Sequence, residues 1–440
     1  MIWVGYTTLY REAGPKFARV AKTLADSKRA LGLEVKLEKV ESKRDFVDAM
    51  TRLKCEGATL EELHFIGHGG MYGIMFRTRA MPEQFSPHEW RMLARDRVIP
   101  FVTPAHASHG AYFHACRSAR WFTPFFARTF GVPAFGYHGY TTLSTRPDAF
   151  RWERPWSPPD APLYVVACPG KKSHGLLGSA LKYSGLARVE VPSRCEGEPV
   201  VGDVSYDAVA DLYDATFTDI SVRADECRWL DAHLSPSHRP RVLDIGCGNG
   251  ALLRRLAPRI ASGVGVDRSA RLLEHALTRS RGAPNLSFAS VDGPTLPFAD
   301  GSFDVVTSLL SFRYLDWDPI MSEICRVLAP GGRILIVDMV SVPLALRETP
   351  LFLRSKLARL RQRVTHPRFD RALRAMVGDP RWRSMLAYNP IRSAHELTWY
   401  LESRFPGQKT ELLNTAWSTR VVGFDSGPIT MRWVPPQSYP

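Results

Sequence analysis

Short apolar runs alternate with amphipathic stretches along most of the chain. MIWVGYT (1–7) reads as a strand, and residues 10–31 as a helix with one apolar face, ending at Gly32. EVKLEKV is a second strand, 43–54 a second helix, and LEELHFIG (60–67) a third strand that runs into His68, Gly69 and Gly70. YGIMFRT follows with the pattern of a hairpin. Ser86-Pro87-His88-Glu89 then carries the cap, first-turn proline and acid of a helix start. GAYFHA (110–115) is a strand that delivers Cys116; the helix 118–130 and the strands VPAFGYHG and LYVVACPG close the series. Strands alternating with helices predict a parallel α/β sheet.

The pattern breaks twice. Residues 146–162 are proline-rich and read as a surface loop, and 191–203 (VPSRCEGEPVVGD) reads as a linker. Beyond it the alternation resumes with SYDAVADLYDATF and a helix near 221–233. RVLDIG, a helix 250–257, GVGVD, a helix 269–280, LSFASVD, FDVVTSL, a helix 316–327 and RILIVDMV follow. The expected organisation is a domain over 1–190, a linker over 191–203 and a second α/β domain over 204–440. Within the second, 341–392 forms a helical insertion before a helix near 393–404. A chain of 440 residues is also longer than one domain usually is.

Composition narrows the classes. No window approaches eighteen uncharged apolar residues, so no membrane span is expected, and the first residues lack the pattern of a secretory signal. Seven cysteines without paired spacing suggest neither a disulfide framework nor a metal site, which fits a cytoplasmic protein. The net charge is +14, and residues 347–392 alone hold 12 basic and 3 acidic side chains. Such a block either steers an anionic partner or forms a solvated helix face. Aromatic residues are not interleaved in a nucleic-acid-binding module, so a nucleic-acid partner is not expected. The oligomeric state is not legible.

The chemistry concentrates at VLDIGCGNG (242–250). A buried strand there ends in a turn whose glycines, Gly246, Gly248 and Gly250, let backbone amides approach an anionic group at a helix start. Asp267 ends the next strand about twenty residues on, the place of the acid that binds ribose hydroxyls in nucleotide-binding α/β folds. Asp292-Gly293 follows the third strand, where an acid can accept from an adenine amino group. LPFADGSFDVV (296–306) and ICRVLAPGGRILIVDM (324–339) come next. Together these segments resemble the class I S-adenosylmethionine-dependent methyltransferases, most of all the ubiquinone/menaquinone C-methyltransferase group, over about residues 204–340. The resemblance implies S-adenosylmethionine as cofactor. It assigns Tyr213, Asp244, Gly246, Gly248, Asp267, Arg268, Asp292 and Gly293 to its binding, with Tyr206 nearby. The acceptor it implies is a small molecule or a peptide. After the fourth strand many relatives place a histidine; this chain has Ser311, Phe312, Arg313 and Tyr314. Tyr314, His366 and His395 are then the candidate bases, and Leu351, Phe352, Leu353, Met376, Trp382 and Met385 the candidates to line an apolar pocket under a helical lid.

In the first half, LHFIGHGG and YFHACRSA resemble the caspase-like (clan CD) cysteine peptidases over roughly residues 1–140. That resemblance implies an α/β sandwich in which the strands leading to His68 and Cys116 are neighbours. Cys116 would be the nucleophile, His68 its acid–base partner, and the amides of Gly69 and Cys116 an oxyanion site. The family's Ser-Gly after the cysteine segment is Ser118-Ala119 here. His64 and His114 fall on the other strand face and are expected as core or sheet-face residues. The combined expectation is a bifunctional enzyme, with peptidase activity or partner binding in the first domain.

Overall fold

The structure, a computed structural model, describes residues 1–8, 14–77, 82–103, 106–144, 164–168, 188–189, 192–200, 205–234, 239–342, 344–389 and 391–429. The chain divides into two compact units, one ending at Pro199 and the other beginning at Val200.

The first unit opens with β1 (Ile2–Tyr6), α1 (Gly14–Ala30), β2 (Val35–Lys39), α2 (Lys43–Cys55) and β3 (Glu62–Ile66). A small antiparallel hairpin sheet follows, made of β4 (His68–Gly70), β5 (Gly73–Arg77) and β6 (Pro82–Gln84). Next are α3 (Pro87–Arg95), β7 (Gly110–His114), α4 (Phe122–Phe130) and β8 (Ala134–Gly136). The strands β9 (Tyr140–Ser144), β10 (Tyr164–Cys168) and β11 (Arg188–Val189) form another small sheet, and β12 (Ser193–Cys195) returns to the main one. That main sheet has the order β12-β8-β7-β3-β1-β2, all parallel except β12. The capping box expected at Ser86 and Glu89 is present, and it sets the start of α3. One face of the sheet is packed by an aromatic core that includes Trp3, Phe46, Phe65, Trp90, Phe113 and Phe126; α1 covers part of the other face with Phe17, Val20 and Leu24.

Residues 191–203, expected as a linker, differ from that expectation. Ser193–Cys195 pairs with Ala134–Gly136 as an edge strand, so the first unit runs on to Pro199. The reason is local: an edge strand needs pairing on one side only, which tolerates the proline and glycines around it. The loop expected over 146–162 lies outside the described residues.

The second unit begins with helices Ala210–Thr216 and Ala224–His233. Its sheet is built from β13 (Arg241–Ile245), β14 (Ser262–Asp267), β15 (Leu286–Ser290), β16 (Phe303–Leu309) and β17 (Leu328–Ser341). It is completed by the hairpin β18 (Glu411–Thr415) and β19 (Thr419–Asp425). The order is β15-β14-β13-β16-β17-β19-β18, parallel except for β19 against both of its neighbours. Between β17 and the hairpin stand three helices, Thr349–Thr365, Pro367–Gly378 and Pro380–Tyr388, and then Ala394–Arg404. The strand order reverses at β13: β14 lies on one side and β16 on the other. Ligands of open α/β sheets bind at the carboxyl ends of the strands at such a reversal.

Candidate active site

At that reversal β13 gives way to a turn in which Gly246, Gly248 and Gly250 have φ of 73°, 54° and 73°. A β-carbon disfavours this left-handed region. Packing adds a second constraint at Gly246, where a β-carbon would stand 2.3 Å from Cβ of Ser311. At Gly248 it would meet the Tyr213 ring at 3.4 Å, so that ring lies close over the turn.

Asp267 ends β14 and ties the turn to it. Its Oδ2 accepts from the Gly248 amide at 2.8 Å and its Oδ1 from the Ser269 amide at 2.9 Å. Burial raises the Asp267 pKa, against the pull of these amides. Each carboxylate oxygen keeps capacity for another donor, as a ribose hydroxyl would need. Asp244 is buried beneath the turn and its Oδ1 accepts from Thr307 of β16 at 2.8 Å. Burial pushes its carboxyl up to about 7, although the Thr307 bond works in the other direction. Arg268 and Asp292 pair with each other at 2.9 Å, with both side chains more than three-quarters exposed. Gly293 beside them has φ 125°.

Several supporting residues were not singled out by the motif. Asn249 Nδ2 donates to Asp214 at 2.9 Å, and Arg279 clamps the same carboxylate through Nε and Nη2 at 2.8 and 2.6 Å. The helix that carries Tyr213 is thereby fastened to the glycine turn. On the other side of β13, Leu310 adopts φ 61° and turns the chain into Ser311–Tyr314. Ser311 Oγ donates to the Ile245 carbonyl at 2.6 Å. Arg313 is buried; its amide donates to Asp338 at 2.7 Å and its guanidinium pairs with the same carboxylate. Its Nη2 donates to the Tyr314 hydroxyl at 2.9 Å, and the Tyr206 and Tyr314 hydroxyls are 3.1 Å apart. Burial drives the Tyr206 pKa well up, so this phenol stays protonated. The signal for this cluster was the position itself, the loop where Arg-Tyr replaces the usual histidine; its partner Asp338 ends the IVD of β17.

The other base candidates lie apart from it. His366 caps the helix Thr349–Thr365, exposed and bonded to Thr365 at 2.8 Å. His395 stands against Trp399 with ring centroids 5.1 Å apart. Of the residues expected under a lid, Trp382 meets the Tyr206 ring edge-on at 6.2 Å, and Met376 and Met385 are buried. Leu353 differs: it is on the outer face of its helix, more than half exposed, because Phe352 takes the inward position against Trp417.

In the first unit, β3 and β7 are paired with Ile66 opposite His114, and two residues further on stand His68 and Cys116. The two backbones touch there: a β-carbon on Gly69 would lie 2.9 Å from Cβ of Ala115 and 3.1 Å from the Cys116 carbonyl. Cys116 is buried, and its Sγ accepts from the Thr141 amide at 3.3 Å. Arg117, just after it, has φ 60°. The His68 ring packs edge-on against Phe17 at 5.0 Å. His64 and His114 lie in the core, with Nδ1 and Nε2 3.0 Å apart and His64 Nε2 2.8 Å from Glu62. No group of three or more potential metal-ligating side chains occurs among the described residues.

A family model described as a methyltransferase domain matches residues 243–336, from inside β13 to inside β17. With that match, the strand order and the glycine turn, the second unit is a class I S-adenosylmethionine-dependent methyltransferase domain. Demethylmenaquinone methyltransferase of Clavibacter sepedonicus is 35% identical over 162 residues, which covers 35% of this chain and 66% of that protein. Nocamycin O-methyltransferase of Saccharothrix syringae is 34% identical over 152 residues, covering 33% and 53%. A solved methyltransferase structure from Aquifex aeolicus aligns at 15% identity with a TM-score of 0.33, over 49% of this chain and 98% of that one. The chain spans between 42% and 66% of the length of the first curated relatives it matches.

Proposed function

We propose that the chain transfers the methyl group of S-adenosylmethionine to a small-molecule or peptide acceptor whose reacting atom lies beside Tyr314. The observation that carries this reading is the Arg313–Tyr314–Tyr206 cluster, which follows β16 on the far side of the glycine turn from Asp267. S-adenosylmethionine supplies an activated methyl on a sulfonium that leaves as a neutral thioether. The residues assigned to hold it are Tyr213, the 246–250 turn, Asp267 and, at the exposed end, Arg268, Asp292 and Gly293. Arg313 donates to the Tyr314 oxygen, and the Tyr206 hydroxyl stands 3.1 Å from it. The Tyr314 oxygen thus accepts from Arg313 and keeps its own hydroxyl proton to donate. An acceptor oxygen that has given its proton to solvent water carries negative charge, and such a donor stabilises it. Trp382 beside Tyr206 supports the lid reading of residues 341–392, with exclusion of water as its contribution.

The test is mass spectrometry of phenols, quinols and peptides incubated with the protein and cofactor, reading the gain of one CH2 per transfer. Tyr314→Phe is expected to slow transfer on the order of a hundredfold while cofactor affinity holds. An unchanged rate in Tyr314→Phe contradicts the assigned role.

A second activity in the first unit is supported by the position of His68 and Cys116, each two residues past the paired strand ends Ile66 and His114. We infer a caspase-like sandwich in which Cys116 attacks a peptide carbonyl, His68 protonates the leaving amine, and the Gly69 amide helps hold the oxyanion. The alternative role of the same edge is peptide binding without cleavage, presenting a partner for methylation. An electrophilic peptide probe is expected to label the wild-type chain and not Cys116→Ala. Labelling that persists in Cys116→Ala rules the peptidase out.

A further inference from the structure

The helix Thr349–Thr365 is basic, yet its outer face is apolar at its centre. Leu353, Leu357, Leu360 and Val364 are each more than half exposed. At about 100° per residue they fall within about 60° of arc. Phe352 and Ser355, which are buried, lie on the other side of the helix. Lys356 and Arg363 border the stripe on one side, Arg354 and Arg361 on the other, and the helix contains no acidic residue. Arg354 and Arg363 reach Asp225 and Asp370 at 3.6 and 3.4 Å, whereas Lys356 and Arg361 have no carboxylate partner among the described residues. Leu346, which precedes the helix, and Trp417, which packs on Phe352, are also more than half exposed.

Spacings of four, three and four residues are those of a coiled-coil seam, so a second copy of this chain is the first occupant to weigh. Charge excludes it. The positions flanking such a seam are Arg354, Lys356, Arg361 and Arg363, and two copies would set these cations against each other. The surface is also a ridge, whereas a partner helix is bound in a groove.

We propose that this face docks on an anionic lipid surface. Leucines at the centre of an exposed ridge and cations along both borders are what a helix lying in the membrane interface requires. The stripe enters the boundary of the acyl chains while Lys356 and Arg361 meet phosphate oxygens. Docking of this kind goes beyond methyl transfer and does not depend on it.

The experiment is co-sedimentation of the full chain with phosphatidylcholine vesicles, with and without phosphatidylglycerol. The wild-type chain is expected to pellet with the anionic vesicles, less so at high salt, and to stay in solution with phosphatidylcholine alone. The double variant Leu357→Ser/Leu360→Ser is expected to lower the bound fraction at least about tenfold. Its thermal midpoint and cofactor binding should match wild type, since both leucines are solvent-exposed. A wild-type chain that stays in solution, or a double variant that pellets equally well, overturns the proposal. So does a wild-type dimer that the double variant dissociates, which gives the stripe to a second copy.

Discussion

At the scale of single residues, the first unit buries a chain of ionisable groups that makes its stability depend on pH. Burial holds His64 and His114 below the usual histidine range of about 6.5, and His114 well below it. The folded chain therefore keeps both rings neutral where the unfolded chain binds protons. Their contribution is fully present above about pH 6.5 and is lost as the pH falls below that value. Glu62 behaves in the same direction lower down. Burial opposes its ionisation, yet the His64 ring and the Lys28 ammonium bring it to about 2. Its contribution is present above the ordinary 4.5 and disappears as the pH falls toward about 2. The thermal midpoint of the first unit should thus fall steadily between about pH 7 and 5. His114→Phe should flatten that slope, and a slope unchanged in the variant removes the histidines from the account. Residues of this kind were only partly legible. Strand alternation put His64 and His114 on the strand's other face, but the 3.0 Å contact between their rings depends on a register between β3 and β7 that no single strand reveals.

At the scale of elements, the glycine turn after β13 shows why a short motif is so readable. Three positions need positive φ, and Gly246 must also clear Ser311. Gly246→Ala should cost about 1–2 kcal/mol from the backbone alone, with more from the clash, and should lower the thermal midpoint and cofactor affinity together. A variant as stable as wild type contradicts the packing described for the turn. The same local logic located Asp267, because strand, turn and helix lengths fix how far along the chain the next strand ends. It failed where partners are distant: Arg313 reads as an odd residue in a loop until β16 and β17 pair and bring Asp338 beside it. The hairpin β18–β19 was also missed, since its strands read as short alternating runs after a helical stretch. On the helix Thr349–Thr365, leucine and arginine counts could not say which leucines face outward; Phe352 and Ser355 settle that by taking the inner side.

At the scale of the whole molecule, the sequence alternation correctly implied two α/β sheets, and the boundary fell within the stretch read as a linker. The strand that shortened the linker, Ser193–Cys195, carries too few residues to show periodicity and exists because β8 offers an edge. No helix among the described residues is long and apolar enough to cross a membrane. The central claim concerns the second unit: a cofactor held between the glycine turn and Asp267. Calorimetric titration of S-adenosylmethionine into the full chain and into Asp267→Ala tests it most directly. Saturable binding by the wild-type chain, weakened at least about tenfold in the variant by loss of charge-assisted hydrogen bonds, is the predicted result. Absence of binding to the wild-type chain, or equal affinity in Asp267→Ala, would contradict it.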